Sequence, residues 1–165
     1  MVIKTYFITG AEGVGKSTIL EKIKIRFPFM KIYDFDEVGV PDNPPLSWRL
    51  NTTKHWIKKF IKNQKAEASS CVLGLCFPEE IKKMNDFEKL NNVSFCLLDV
   101  NKKERKKRLI NRKASQEVID DDRCLLELRS QFQKMKNSVI DTSNLSIEEV
   151  SNSVIKFMEL NNGDK

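Results

Sequence analysis

Hydrophobic and polar positions follow two alternating periods along the chain. Short apolar runs of strand length stand between longer segments whose apolar residues recur at helical spacing. The predicted strands are residues 2–9, 30–33, 71–76, 93–100 and 138–141. The predicted helices are residues 16–27, 48–66, a segment beginning at 78, residues 102–112, a segment from 121 or 122 to about 136, and a segment after 146. Alternating strands and helices predict an α/β fold in three layers, with helices on both faces of a parallel sheet.

The ends of two helices carry capping signals. Ser47 is expected to cap helix 48–66, which follows a proline-rich loop. Ser146 and Glu149 form a capping-box pattern that opens the last helix, in which Ile147 is expected to be buried. The polar segment 113–122 is weakly periodic, and we predict no element there.

The segment between the first strand and the first helix is Gly-Ala-Glu-Gly-Val-Gly-Lys-Ser-Thr, which matches G-x-x-x-x-G-K-[ST], the P-loop pattern. Backbone N–H groups of such a loop form a concave site for phosphate at a helix N-terminus. Lys16 is expected to reach the β- and γ-phosphates, and the Ser17 hydroxyl to bind Mg²⁺. The alternative is a glycine-rich turn without a ligand. The predicted nucleotide-binding residues of this loop are Gly10, Ala11, Glu12, Gly13, Val14, Gly15, Lys16, Ser17 and Thr18.

Three acids follow the second predicted strand in the sequence Asp34-Phe35-Asp36-Glu37. In an extended segment Asp34 and Asp36 point to the same side, because side chains alternate. One carboxylate is then expected to hold Mg²⁺ through water, and the other to accept a proton from a substrate hydroxyl. The sequence does not decide which of the two aspartates holds Mg²⁺ and which accepts the proton. The alternative is a solvated acidic loop with a helix cap.

Composition sets the class of protein. A chain of 165 residues with 40% hydrophobic and 32% charged residues suits one globular domain. No apolar run approaches the roughly 18 residues of a membrane span, and Lys4 in the first strand argues against a signal peptide. We therefore expect a cytoplasmic protein without a membrane partner. The four cysteines include no C-x-x-C pair and the chain has one histidine, His55, so we expect no zinc site.

The net charge of +6 is concentrated in one segment. Residues 101–113 hold eight basic side chains and one acid, Glu104. Three interpretations are a solvated helix face, a nucleic-acid patch, and a lid that binds phosphate. Arginine suits the last because its planar fork binds phosphate in a bidentate manner. Arg105, Arg108 and Arg112 share one helix face at this spacing.

With the P-loop, an Asp-x-Asp after the second strand and an arginine-rich helix after the fourth, the chain resembles the small P-loop kinases. These include the shikimate, gluconate, nucleoside and nucleoside monophosphate kinases. The resemblance covers the full chain in element order. It implies the P-loop NTPase fold with a five-stranded parallel sheet in the order 2-3-1-4-5, an ATP site, Mg²⁺-dependent phosphoryl transfer and a short helical lid. We accordingly expect a single domain over 1–165, with a lid at about 101–124 and a frayed tail at 161–165.

The resemblance also assigns roles to individual residues. Lys16, Asp34, Asp36, Arg108 and Arg112 match catalytic positions, Ser17 and Asp34 match the metal ligands, and Arg108 matches a lid arginine that packs on adenine. Thr142, Ser143 and Asn144 match a loop that borders adenine, although a simple strand-to-helix turn explains them equally well. The acceptor is placed beside the Asp-x-Asp loop, where Asp34, Asp36, Trp48, Arg49 and Phe77 are the expected substrate-binding residues. The alternative is that Trp48 belongs to the apolar core and that Arg49 is a surface side chain.

The acceptor itself is not identified, because the chain lacks the Gly-Gly-Gly segment of shikimate kinases and the long lid of large adenylate kinases. The leading hypothesis is a kinase of a small hydroxylated or phosphorylated metabolite, a nucleoside or nucleotide in the first place. The second is a regulatory ATPase without a small acceptor, and the third is nucleic-acid binding through the basic helix, which we do not favour. The sequence does not decide between ATP and GTP as the preferred nucleotide, or between a monomer and a homodimer.

Overall fold

The computed structural model describes residues 2–135 and 138–161. Within these ranges five parallel strands form one sheet in the order β2-β3-β1-β4-β5. The strands are β1 (Thr5–Thr9), β2 (Lys31–Asp34), β3 (Ser70–Leu73), β4 (Val93–Asp99) and β5 (Val139–Asp141). The predicted α/β class and the predicted strand order 2-3-1-4-5 are confirmed.

Helices cover both faces of the sheet. They are α1 (Lys16–Arg26), α2 (Leu46–Lys65), α3 (Pro78–Lys82), α4 (Lys102–Asn111), α5 (Gln116–Asp120), α6 (Arg123–Phe132) and α7 (Ile147–Leu160), with 3₁₀ turns at Phe35–Val38 and Phe87–Lys89. Side chains of β1 alternate between two apolar cores, as strand geometry requires. Tyr6 packs in the core that α1 and α7 cover, and Phe7 packs with Trp56 of α2 in the other. The three-layer prediction is therefore confirmed.

Two local predictions are wrong. Ser47 does not cap α2, because the helix begins at Leu46 and Pro45 precedes it in an extended conformation. The Pro45 carbonyl accepts hydrogen bonds from the amides of Trp48 and Arg49, so Ser47 already lies in the first turn. Ile147 is 52% exposed rather than buried, although the capping box of Ser146 and Glu149 is present.

The segment 113–122 contains the short helix α5, which the sequence pattern did not predict. Ser115 caps it through a bond from the amide of Val118. The predicted helix end at 136 lies outside the described residues, and α6 ends at Phe132. Residues 162–165 of the expected frayed tail also lie outside them. Among the described residues, no helix combines the length and apolar character that crossing a bilayer takes.

Candidate functional site

The loop between β1 and α1 has the backbone of a phosphate cradle. Gly13 and Gly15 adopt φ values of 90° and 102°, which residues with a Cβ rarely do. At Gly10 a Cβ would lie 2.6 Å from the Leu98 carbonyl oxygen, so the glycine lets β4 approach the loop. The first turn of α1 has no side-chain cap and no acid. Its amides are therefore open to an anion, which the helix dipole also favours.

Lys16 lies across its own loop. Its ammonium donates to the carbonyl of Gly10 and, at 2.9 Å, to that of Ala11. Burial lowers the pKa of Lys16 to about 8, and the negative charge of Asp36 opposes this shift. The side chain is thus held near the position where a phosphate on the loop would lie, with its charge directed toward the acids after β2.

Two cavities meet at the P-loop. One, of about 410 Å³, lies at the ends of β2 and β3 and reaches the start of α2; we call it the strand-end cavity. The other, of about 620 Å³, lies between α4 and the start of α7; we call it the helix cavity. Gly13, Gly15, Ser17 and Arg112 line both cavities. A phosphate held by the loop would therefore be accessible from two compartments.

The acids after β2 differ in their surroundings. The Asp34 carboxylate accepts a hydrogen bond from the Asp36 amide at 2.9 Å, and the Glu37 carboxylate accepts one from the Asp34 amide. This capping box closes a 3₁₀ turn, so the expectation of an extended segment is wrong. Asp34 and Asp36 nevertheless both line the strand-end cavity. The turn, and not strand alternation, brings them there.

Asp36 and Asp34 differ in the hydrogen bonds that their carboxylates accept. Burial raises its pKa, and the neighbouring charge of Asp34 raises it further, while Lys16 acts in the opposite direction. Within the described residues no hydrogen-bond donor occupies the Asp36 carboxylate, whereas that of Asp34 is engaged by a backbone amide. A carboxylate with a raised pKa and a free oxygen is suited to accept a proton from a hydroxyl.

The floor of the strand-end cavity is a tightly packed contact between Phe35 and Gly74. A Cβ at Gly74 would lie 2.0 Å from the Cβ of Phe35, so only glycine fits there. The carbonyl of Phe35 accepts a bond from the Trp56 indole at 3.1 Å, and the Trp48 indole donates to Gly39 at 3.1 Å. Both tryptophans of α2 therefore hold the segment that carries Asp36.

Trp48 and Arg49 line the strand-end cavity as predicted from their position, but Phe77 does not. Phe77 is buried, and the guanidinium of Arg49 lies 4.6 Å from its ring centroid. Arg49 donates to both carboxylate oxygens of Glu80, at 2.6 and 3.1 Å. Phe77 therefore lies behind Arg49 and outside the lining of the cavity, and its role in substrate binding stays a prediction.

The three arginines of the basic helix have different surroundings. Arg105 is 4% exposed and donates to the carbonyl of Glu12 in the P-loop, at 3.0 Å, and to the segment that ends α5. Arg108 donates to Thr142 and, more weakly, to the Val14 carbonyl. Arg112, the residue after α4, is exposed and has no ion pair among the described residues. Arg112 is therefore the cation of this helix that is open to both cavities.

The loop after β5 supports the helix cavity from behind. Thr142 is fully buried and its hydroxyl donates to the Asp99 carbonyl. Ser143 is buried and accepts from the amide of Asn101. These two residues and Asn144 do not line the helix cavity, whose wall on this side is Leu145, Ser146 and Ile147. The sequence analysis did not predict this wall. The signal for it was Ile147, an apolar residue at the first position of a helix, which the structure leaves exposed.

Half of the basic side chains of residues 101–113 are paired with acids. Four of the eight form ion pairs with acids of residues 104–122: Lys102, Arg105, Lys106 and Arg108. Lys102 pairs with Asp122 at 2.8 Å. The other four basic side chains form no ion pair among the described residues, so binding of a nucleic-acid backbone, which uses free cations, stays an alternative.

Comparison with known proteins identifies the fold. No family model and no curated protein matches the sequence. Three solved structures superpose well: a sugar kinase from Janibacter sp. (TM-score 0.65, 16% identity, 95% of each chain), a shikimate kinase from Acinetobacter baumannii (0.61, 10%, 98% of this chain and 96% of that one) and a thymidylate kinase from Candida albicans (0.60, 13%, 97% and 92%). At these identities the likeness concerns the fold. The chain thus has the fold of the small P-loop kinases, over nearly its whole length.

Proposed function

We propose that the protein is an ATP- and Mg²⁺-dependent phosphotransferase that moves the γ-phosphoryl group to a small hydroxylated or phosphorylated metabolite, with nucleosides and nucleotides as the first acceptors to test. The observation that supports this most directly is the P-loop shared by two cavities. A protein that only binds or hydrolyses a nucleotide needs one compartment beside the loop, whereas transfer to an acceptor needs two.

The helix cavity suits the nucleoside of the donor. Leu145 and Ile147 give it an apolar wall, and Arg108 lies at its edge. The loop amides and Lys16 would hold the phosphates, and Arg112 would neutralise charge on the phosphoryl group between the cavities. We propose that residues 101–124 form the lid over this cavity, anchored to the P-loop by Arg105.

The residues present fit a Mg²⁺–nucleotide. The described residues hold no cluster of three metal-binding side chains, but Mg²⁺ in such sites takes one or two protein oxygens together with phosphate and water. The Ser17 hydroxyl is exposed in the first turn of α1, and Asp34 lines the same cavity. These two oxygens would hold the ion, which supplies charge neutralisation at the phosphates when bound.

The acceptor would lie in the strand-end cavity with its hydroxyl toward the P-loop. Asp36 would orient this hydroxyl and take its proton as the phosphoryl group is transferred. Trp48 would pack on the body of the acceptor and exclude water, supported from below by the buried Phe35.

The test is ADP formation from ATP and Mg²⁺ with a panel of nucleosides, nucleotides and sugars. At least one acceptor should stimulate ADP formation about 10²-fold or more in the wild type and not in Asp36→Asn, since acid–base catalysis contributes at least that much. ADP formation that no acceptor stimulates would instead indicate the second candidate, a regulatory ATPase.

A further inference from the structure

The charges that line the strand-end cavity are unevenly distributed. Among the described residues the cations are Lys16, Arg49 and Arg112, and the acids are Glu12, Asp34 and Asp36. Lys16 and Arg112 belong to the P-loop end, where the transferred phosphoryl group would lie. The opposite end of the cavity would hold the rest of the acceptor. Among the described residues, Arg49 is the one cation that lines that end.

Arg49 is already engaged. Its guanidinium meets Glu80 in a bidentate pair at 2.6 and 3.1 Å, and its flat face covers Phe77. The side chains of Arg49 and Glu80 are 23% and 25% exposed, so both charges are mostly removed from water. An acceptor anion that drew Arg49 away would leave Glu80 partly buried without its partner, which is costly.

Apart from Arg49, the surface at this end is apolar and includes Trp48, Val40 and Pro44. Trp48 is half-buried, and its indole N–H is bound to the Gly39 carbonyl, so its ring presents an apolar face. The edge of Trp48 meets Phe35 at 6.1 Å between ring centroids.

We infer that the acceptor is a neutral hydroxylated compound with a flat ring, and that the strand-end cavity selects against phosphate and carboxylate groups. The inference rests on the proposed function and narrows it to the unphosphorylated members of the acceptor class. The ring packs on Trp48 and the hydroxyl faces Asp36, while the Arg49–Glu80 pair forms part of the cavity wall and carries no net charge.

The experiment compares matched ligands that differ only in charge. The full chain is loaded with MgADP, which blocks the donor site, and titrated with thymidine, cytidine and adenosine and with the 5′-monophosphate of each. Calorimetry or ligand-observed NMR gives the ratio of dissociation constants within each pair. For the pair that binds, the neutral compound should bind at least about tenfold more tightly, equivalent to about 1.4 kcal/mol.

Substitutions at the ion pair test the cause. Glu80→Gln frees Arg49 and should shift the ratio at least about tenfold toward the monophosphate. The double variant Arg49→Gln/Glu80→Gln should lose that gain. Glu159→Gln is the matched control, because it frees Arg26 from an Arg–Glu pair that lines neither cavity, and it should leave the ratio unchanged.

The inference is overturned if the wild type binds a monophosphate as tightly as its nucleoside, or if it binds no nucleoside at all. These results need only the wild type, so a variant that does not fold leaves the test intact. Nucleoside binding with the expected selectivity but without ADP formation refutes the phosphotransferase and leaves the charge selectivity standing.

Discussion

Replacing Arg105 with methionine should destabilise the protein strongly, because this guanidinium is the buried link from α4 to the P-loop and to the end of α5. It is 4% exposed, with strong bonds to the Glu12 carbonyl at 3.0 Å, the Asp121 carbonyl at 3.0 Å and the Asp122 carboxylate at 3.2 Å. Two longer contacts, at 3.3 and 3.5 Å, reach the carbonyls of Val118 and Ile119.

The magnitude follows from the three short bonds. Hydrogen bonds to charged groups contribute about 1.5–3 kcal/mol each, an upper range of about 4.5–9 kcal/mol for the set. The loss in free energy of unfolding should be smaller than this upper range, because water can reach the freed carbonyls and α5 can relax. We expect roughly 3–5 kcal/mol, the cost of breaking a buried ion pair. In a domain of this size, where about 1 kcal/mol moves Tm by about 2–4 °C, the melting temperature should fall by about 6–20 °C.

Urea and thermal unfolding of Arg105→Met measure this change. Lys106→Met is the matched control on the same helix, since Lys106 is 57% exposed and its nitrogen lies 3.9 Å from Asp120. An exposed pair of this kind contributes about 0–1 kcal/mol, so the control should melt within about 4 °C of the wild type. A loss below about 1 kcal/mol for Arg105→Met would show that the buried network does not carry the stability assigned to it.

Three further results are expected. Gly74→Ala should cost about 1–3 kcal/mol or more in urea unfolding, because its Cβ would lie 2.0 Å from that of Phe35, and a stability equal to the wild type would contradict the packing. Arg112→Ala should lower kcat about 10²-fold or more while Tm stays within about 2 °C, since the side chain is exposed. An unchanged kcat, or a kcat that falls only together with Tm, would refute a catalytic role. The raised pKa of Asp36 means that its ionisation opposes folding as pH rises above the ordinary Asp range. Asp36→Asn should therefore raise Tm at pH 7 and lose that advantage near pH 3, whereas a gain that persists in acid would exclude this cause.

The parts of the fold that the sequence predicts are those that depend on local pattern. The P-loop is contiguous in sequence, and the periodic spacing of apolar residues predicts the strand before it and the helix after it. The sequence alone therefore predicts the P-loop side of the candidate site. The strand order came from the resemblance to P-loop kinases. The 3₁₀ turn was missed although Asp34 and Glu37 have the same spacing as Ser146 and Glu149, which did predict a capping box.

The arginines of α4 show what a local pattern does not contain. Helical spacing places Arg105, Arg108 and Arg112 on one side of the segment, and from the sequence all three suit phosphate equally. Their difference arises from what packs against them. The Glu12 carbonyl, 93 residues away in the chain, accepts from Arg105, and Thr142, 34 residues away, accepts from Arg108. Arg112 follows the last residue of α4 and has no ion pair within the part of the chain that the structure describes.

The same distinction separates the two halves of the candidate site. Nine consecutive residues specify where a phosphate binds, so any chain with this loop has that half in common. The acceptor half depends on contacts between distant segments. Arg49 and Glu80 are 31 residues apart in sequence, and their pairing neutralises the cation at the end of the cavity away from the P-loop. If the protein is the kinase proposed above, its acceptor preference should therefore change through a single carboxylate at position 80, which does not line the cavity, while the P-loop stays the same.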